Sequence, residues 1–185
     1  MIRFKYLPVS ITLVLILAGC GNLKPDTVLV SSFPDVDSLL KNDASVPFGK
    51  SLNKDVRLDG ETESGSLEMD SAKWKKELSF IQEINPNQPG YVGAFERIRS
   101  DNKDELILKE GEKGSLKKLT VERSEKGISS LEAIIHEDKD VFVYHKEIKI
   151  HFNDGLISSY EIDGYQKILM KDTIRFRIVG AVSED

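Results

Sequence analysis

Apolar and polar residues alternate with a period of two from Tyr91 to the end of the chain. Eight segments show this alternation: 91–100, 104–110, 115–123, 128–136, 141–152, 156–162, 165–170 and 173–182. An alternation of this kind predicts β-strands that are buried on one face. The pieces between the segments are so short that they can join only antiparallel neighbours. The pattern therefore predicts an antiparallel β-meander.

The segment 142–152 shows which face is expected to be buried. One side carries Phe142, Tyr144, Ile148, Ile150 and Phe152, interrupted by Lys146, and the other carries Val143, His145, Glu147, Lys149 and His151. Ile174, Phe176 and Ile178 likewise oppose Arg175 and Arg177. An antiparallel sheet with one apolar and one polar face is typically covered on a single side.

Asp-Gly pairs are the clearest turn signals, because glycine readily takes the positive φ at which paired strands reverse. Asp154-Gly155 and Asp163-Gly164 predict two hairpins. Upstream, Val56 and Leu58 alternate before Asp59-Gly60, which predicts a strand that ends in a turn, and the polar stretch ETESGS at 61–66 is expected to be a loop.

One amphipathic helix is predicted over residues 70–84. Trp74, Leu78, Ile81 and Ile84 recur at helical spacing, and Phe80 widens the stripe. Asp70 or Ser71 can cap the first amides, and Pro86 and Pro89 end the helix. Trp74 could form part of a ligand platform, but packing against the sheet is the simpler interpretation.

The predicted helix is too short to cover the predicted sheet. At 1.5 Å per residue it spans about 22 Å, which cannot screen eight strands. Two geometries satisfy this mismatch: the sheet closes on itself as a barrel, or it stays half open with a concave apolar surface near the helix. The expected fold class is α+β, a predominantly antiparallel β-meander of about eight strands, forming a curved sheet or barrel-like structure packed against one helix.

The first twenty residues have the pattern of an export signal. Arg3 and Lys5 precede an apolar run from Leu7 to Leu17, which is about half the length that a transmembrane helix needs. Leu17-Ala18-Gly19-Cys20 resembles the lipobox of bacterial lipoproteins, and Cys20 is the only cysteine. The resemblance implies cleavage before Cys20 and diacylation of its thiol, and two or three acyl chains would make membrane attachment stable.

These signals divide the chain into three parts. Residues 1–19 are expected to be a removed signal peptide, residues 20–27 a lipidated tether, and residues 28–185 a single globular domain in which 34–43 forms one or two helical turns. Gly21 and Asn22 follow the lipidation site, with no Asp of the kind that retains some lipoproteins in the inner membrane. The expected location is therefore the outer membrane of a Gram-negative bacterium.

Charge narrows the class of partner. The chain has a net charge of −5, and without the two basic residues of the signal it has 24 Lys and Arg against 31 Asp and Glu, about −7. That sign argues against nucleic acid as a partner and against electrostatic adhesion to anionic membranes. The acyl chains on Cys20 are expected to hold the protein at the membrane.

The sequence contains no recognisable catalytic or metal-binding pattern. No G-x-S-x-G, H-E-x-x-H or calcium-loop spacing occurs. GETESGS at 60–66 lacks the Lys and Ser/Thr of a phosphate-binding loop. Asp59, Glu61 and Glu63 are expected to form a solvated loop, and Lys73, Lys75 and Lys76 a solvated helix face. No cofactor is expected.

The three histidines are expected to be ordinary surface residues. If Asp138-Lys139 forms the tip of a hairpin, His136 faces Val141 and His145 faces Glu132. The two histidines would then lie about 13 Å apart at 3.3 Å per strand residue, which is too far to share a metal ion.

Two longer stretches carry a second resemblance. WKKELSFIQEINPNQP (74–89) and ISSYEIDGYQKI (157–168) resemble small lipoproteins of Gram-negative bacteria with no assigned activity. The half-open geometry also resembles the curved-sheet envelope lipoproteins that carry lipids or lipoproteins. These resemblances imply a fold and an envelope location, and they imply no chemistry.

Three functions are compatible with these observations. The first is a non-enzymatic envelope lipoprotein that binds a protein partner or accompanies a larger assembly. The second is a carrier or sensor of an apolar ligand on the concave face of the sheet. The third is a hydrolase of envelope material, which would need a nucleophile and base, or two carboxylates, converging in a cleft. The absence of catalytic patterns favours a protein that is not an enzyme.

Overall fold

The computed structural model describes residues 46–183. Nine strands account for most of them: β1 (Ser51–Leu58), β2 (Glu61–Glu68), β3 (Phe95–Arg99), β4 (Lys103–Leu108), β5 (Leu116–Ser124), β6 (Gly127–Lys139), β7 (Phe142–Asn153), β8 (Leu156–Ile168) and β9 (Thr173–Val182). Between β2 and β3 lie the helix α1 (Ser71–Glu77) and two 3-10 helices, Leu78–Ile84 and Pro89–Tyr91. The predicted signal peptide, Cys20, the tether and the helical turns at 34–43 lie outside the described residues.

All nine strands belong to one antiparallel sheet, in the order β2-β1-β9-β8-β7-β6-β5-β4-β3. From β3 to β9 each strand pairs with the next along the chain, and the β1–β2 hairpin then adds beside β9. Because β2 and β3 are the two edges, the described sheet is open. The predicted α+β antiparallel meander is confirmed, and of the two proposed geometries the sheet adopts the open one.

The turn predictions succeed where glycine takes a positive φ and fail where it does not. Asp59-Gly60 joins β1 to β2, and Asp154-Gly155 joins β7 to β8; all four residues have φ between 48° and 95°. The hairpin predicted at Asp163-Gly164 is wrong, because both residues lie inside β8. A Cβ on Gly164 would come within 2.4 Å of the His145 carbonyl oxygen and 2.7 Å of the Phe176 ring. Glycine is needed there for close packing.

The loop predicted at 61–66 is also wrong, since these residues form most of β2. The strand pairs with β1 along its whole length, from Ser51 opposite Glu68 to Leu58 opposite Glu61. All eight side chains of β2 are exposed. A strand with no buried face carries no strong apolar alternation, so its sequence resembles a loop although its backbone is fully paired.

The helical segment 71–84 forms where it was predicted, but only its first half is α-helical. Asp70 caps it, its Oδ1 accepting a hydrogen bond of 2.8 Å from the Lys73 amide. The 3-10 helix Leu78–Ile84 continues the segment and ends before Pro86. The predicted apolar stripe is confirmed, because every member is buried: Trp74, Leu78, Phe80, Ile81 and Ile84.

The core lies between this helical segment and one face of the sheet, which we call the inner face. The stripe of the segment packs in one cluster with inner-face residues such as Leu119, Ile148 and Ile150. The alternation predicted for β7 is confirmed, since Ile148 and Ile150 are at most 1% exposed while Glu147 and Lys149 point to solvent. The sheet is therefore covered on one side.

Cover over the inner face is uneven. We call the inner face of β4 to β8 the covered half and the inner face of β9, β1 and β2 the open half. In the covered half Leu106 and Leu119 are fully buried. In the open half Leu58 is 52% exposed, Leu67 45% and Ile174 41%. The candidate site lies where this side-chain exposure changes, between the covered half and the open half.

Candidate functional site

A groove of about 800 Å³ lies along the inner face where the covered half meets the open half. Its lining residues come from the strands on both sides and from the helical segment: Lys54, Leu67, Met69, Lys73, Lys76, Glu77, Phe80, Tyr144, Lys146, Ile162, Gln166, Phe176 and Ile178. The volume falls within the range of about 300–1,000 Å³ that is usual for small-molecule sites. The mismatch between helix length and sheet width thus produces a groove.

The apolar lining follows from strand alternation. Ile162 on β8 and Ile178 on β9 lie directly opposite each other on the inner face. Tyr144 and Phe176 stack at 6.5 Å between ring centroids, and Phe80 from the helical segment packs against Tyr160 at 5.2 Å. The groove therefore offers aromatic and branched aliphatic surface to a ligand.

Glu77, the last residue of α1, connects the helix to both halves of the sheet. Its Oε1 accepts a hydrogen bond from the Tyr160 hydroxyl on β8 and pairs with the Lys54 Nζ on β1 at 2.6 Å. Burial of the Tyr160 phenol, followed by its hydrogen bond to Glu77, raises the pKa of Tyr160. The phenol of Tyr160 is therefore neutral and donates to Glu77. The Glu77 carboxylate thus has two partners, Tyr160 and Lys54.

Lys146 is the polar interruption that the sequence shows on the apolar side of β7. It is 7% exposed, and its Nζ lies 2.8 and 2.9 Å from the two carboxylate oxygens of Glu83 in the 3-10 helix. Burial is the largest single influence and lowers the pKa of Lys146, but the hydrogen bonds and charge interactions with Glu83 and Tyr144 together outweigh burial, so the pKa is raised. Lys146 therefore enters the groove as a paired cation.

Two further lysines reach the groove from α1. Lys73 and Lys76 are three residues apart, which places them on one side of the helix. The Lys73 Nζ donates to the Glu68 carbonyl oxygen at 2.7 Å. Within residues 46–183 neither lysine has a carboxylate partner. The run Lys73, Lys75 and Lys76 is solvent-exposed as predicted, but only Lys75 lies away from the groove.

The predicted spacing of the histidines is wrong. His136 on β6 lies directly opposite His145 on β7, with ring centroids 5.7 Å apart, and the turn is at Asp140-Val141. Moving the turn by two residues leaves every side chain on its own face, so alternation could not distinguish the two registers. The observed register pairs Ala133 with Ile148, which places both in the core.

The remaining residues that the sequence singled out do not form a site within the described structure. Cys20 lies outside the described residues. GETESGS is a turn and an edge strand, and Asp59, Glu61 and Glu63 are exposed there. Within residues 46–183 no three His, Cys, Asp or Glu side chains are placed to hold a metal ion. Trp74 is 1% exposed and packs in the core, outside the groove lining.

The sequence predicted the apolar face but not the groove residues. Glu77, Glu83 and Lys54 carry no motif, and only the tertiary fold brings them to Tyr160 and Lys146. The one available signal was Lys146 itself, because a lysine amid buried positions of a strand requires an acidic partner.

The described groove lining contains no serine, cysteine or histidine. None of the helices in residues 46–183 is long and apolar enough to cross a bilayer. Compared with known protein families, with curated proteins and with solved structures, the chain gives no significant match.

Proposed function

We propose that the protein is a lipid-anchored binding protein of the bacterial envelope that holds an apolar ligand in the inner-face groove. The lipobox-like sequence ending at Cys20 supports attachment to a membrane, and Gly21 and Asn22 favour the outer membrane of a Gram-negative cell. The observation that carries the proposal is the groove, in which aromatic and aliphatic side chains line a space of about 800 Å³.

Exposed apolar surface of this kind favours a binding role. Small-molecule sites are typically concave and lined mainly by apolar and aromatic side chains with a few polar groups among them. Burial of such surface contributes roughly 25 cal/mol per Å², so a chain-like apolar ligand would stabilise the open half. The groove is lined by the helical segment as well as by the strands, so a ligand would contact both.

Binding of a neutral apolar probe tests the groove. Phenylnaphthylamine fluoresces more strongly in apolar surroundings, and the wild-type protein is expected to enhance its fluorescence. Leu67→Glu places a charge in the groove on an exposed edge strand and is expected to abolish the enhancement. The matched control is Ser66→Glu, because Ser66 is the neighbouring exposed residue on the opposite face of β2. Equal fluorescence from both variants would refute the groove as the binding site.

Membrane attachment is tested separately. Cys20→Ser removes the only thiol, so the variant is expected to leave the membrane fraction and to lack the mass of the acyl chains. If variant and wild type partition alike and mass spectrometry finds no acyl chains on the wild type, the anchoring part of the proposal is wrong. The ligand-binding part would be unaffected.

The role of partner-binding or assembly-accessory module stays a prediction beside this proposal. The edge strand β2 has a strand neighbour on one side only within the described sheet, which leaves backbone groups available to a partner. Affinity capture from detergent-solubilised membranes that repeatedly returned no specific partner would count against this role.

A further inference from the structure

We propose that the groove selects an amphiphile with an anionic head group, which lies beside Lys73 and Lys76 while its apolar chain contacts the sheet. This inference rests on the proposed function and names the class of ligand. It is carried by the charges that line the groove, by the partners that those charges already have, and by the side of the groove from which they project.

The groove is locally basic in an acidic protein. Its lining holds four lysines, Lys54, Lys73, Lys76 and Lys146, and a single carboxylate, Glu77. Including Glu83, which pairs with Lys146, leaves two positive charges in excess, whereas the whole chain carries −5. A surplus that opposes the net charge of the protein makes the groove locally complementary to an anion.

The surplus resides on two lysines whose positions suit a head group. Glu77 compensates Lys54, and Glu83 compensates Lys146. Lys73 and Lys76 project from α1 without a carboxylate partner among residues 46–183. The Lys73 Nζ is positioned by the Glu68 carbonyl oxygen at 2.7 Å, and that bond leaves its charge intact. Ammonium groups on one side of a helix can contact one phosphate or carboxylate together.

The apolar part of the lining lies mainly on the strands. Leu67, Phe176 and Ile178 belong to the open half, and Leu67 is 45% exposed. A ligand with a charged end at α1 and an apolar chain along these strands would satisfy both parts of the lining. The chain would bury apolar surface, and the head group would offset the excess charge.

A cationic head group has no acceptor to bind. Glu77 is the one carboxylate in the lining, and it already accepts from Tyr160 and pairs with Lys54. A cation would therefore meet Lys73 and Lys76 without compensation. The same geometry predicts discrimination by charge among ligands that share one apolar chain.

The test uses three amphiphiles with one chain and different head groups. Dodecyl phosphate, dodecanol and dodecyltrimethylammonium, each below its aggregation concentration, compete with phenylnaphthylamine for the full chain carrying Cys20→Ser, which removes the acylation site. Dodecyl phosphate is expected to bind about tenfold more tightly than dodecanol, and dodecyltrimethylammonium most weakly. Inorganic phosphate alone is expected not to compete, because it has no apolar chain.

Charge variants on α1 assign the head group to its site. Lys76→Glu is expected to weaken dodecyl phosphate binding about tenfold and to leave dodecanol unchanged, since it replaces an attractive charge beside the head group with a repulsive one. Lys75→Glu is the matched control, because Lys75 is exposed on the same helix and does not line the groove. Its effect on either ligand should stay within about twofold.

Each outcome separates the inference from the proposed function. Equal binding of the three amphiphiles, or equal effects of Lys76→Glu and Lys75→Glu, would overturn the anionic head group and leave the apolar groove standing. Competition by inorganic phosphate as strong as by dodecyl phosphate would also overturn the inference, because the site would then recognise phosphate without a chain. Failure of every amphiphile to displace the probe would overturn the proposed function itself.

Discussion

The covered half and strand β9 of the open half share one alternating pattern, but the apolar residues of the two halves differ in how far they are buried. Ile148 and Ile150 in the covered half are at most 1% exposed, whereas Leu67 and Ile174 in the open half are more than 40% exposed. The strands in both halves belong to one continuous hydrogen-bonded sheet. Strand formation thus depends on backbone pairing, and burial depends on the short helical segment above the strands.

The comparison shows how a short helix creates a site. Trp74, Ile81 and Ile84 belong to the same buried cluster as Leu119 and Ile148 of the covered half. The open half retains apolar inner-face residues that are largely exposed, namely Leu58, Leu67 and Ile174. Lys146 and Glu77 lie at this boundary, where the covered half ends and the groove begins.

The largest loss of stability is expected when Trp74, a buried residue of the helical segment, is shortened to alanine. Trp74→Ala should lower the free energy of unfolding by about 3–5 kcal/mol, because it leaves a cavity among buried side chains. Urea denaturation followed by circular dichroism measures this. Ile174→Ala in the open half should cost less than about 1 kcal/mol. Similar losses for the two variants would contradict the division into halves.

Two strand glycines give the next test. Gly164→Ala should destabilise the protein by about 2 kcal/mol or more, because the new Cβ would meet the His145 backbone oxygen at 2.4 Å and backbone cannot move aside. Gly65→Ala on β2 meets nothing within 4 Å and should change stability by less than about 0.5 kcal/mol. Thermal denaturation of the pair suffices. A tolerated alanine at Gly164 would show that β7, β8 and β9 pack less closely than described.

A buried charge in the covered half gives a pH-dependent test. Asp104 is 1% exposed and forms two hydrogen bonds to Arg97, while Arg99 and Arg123 lie 3.5 and 3.6 Å away. The hydrogen bonds to Arg97 hold the pKa of Asp104 below its ordinary value. Asp104→Asn is expected to cost about 1–3 kcal/mol at neutral pH.

The sign of the pH dependence follows from the lowered pKa. A carboxylate whose pKa is depressed by folding stabilises the folded state above its unfolded pKa, near 3.9, and loses that contribution as the pH falls through the folded pKa. The stability gap between wild type and Asp104→Asn should therefore be constant above about pH 5 and narrow below about pH 4. Asp138→Asn, at an exposed position on β6, is the control. A gap that widened on acidification would contradict the depressed pKa.

The smallest effect on stability is expected at the edge of the open half, where the effect on binding is larger. Leu67→Ala should change the free energy of unfolding by less than about 0.5 kcal/mol and weaken phenylnaphthylamine binding about fivefold. Ile98→Ala is the matched control, because Ile98 is similarly exposed on the opposite edge strand and lies outside the groove. If both variants bound the probe like wild type, Leu67 would not line the binding site.

Local patterns predicted most elements because they depend on neighbouring residues alone. The helical stripe from Trp74 to Ile84, the two-faced strand β7 and the turn at Asp154-Gly155 all follow from spacing or from backbone conformation. The errors occurred where local chemistry had two interpretations. Gly164 resembled a turn glycine but allows close packing, and the exposed strand β2 resembled a loop.

By itself, the sequence determined the α+β class, the antiparallel meander, the apolar face and the helix that covers it, because alternation, capping and turn chemistry act over a few residues. Only the tertiary structure decided that the sheet is open, that His136 lies opposite His145, and that Glu77 and Glu83 meet Lys54 and Lys146 at a groove. Register and side-chain pairing depend on contacts between distant segments. A register shift that leaves every side chain on its own face does not change the apolar alternation of the sequence. Only packing therefore selects among such registers.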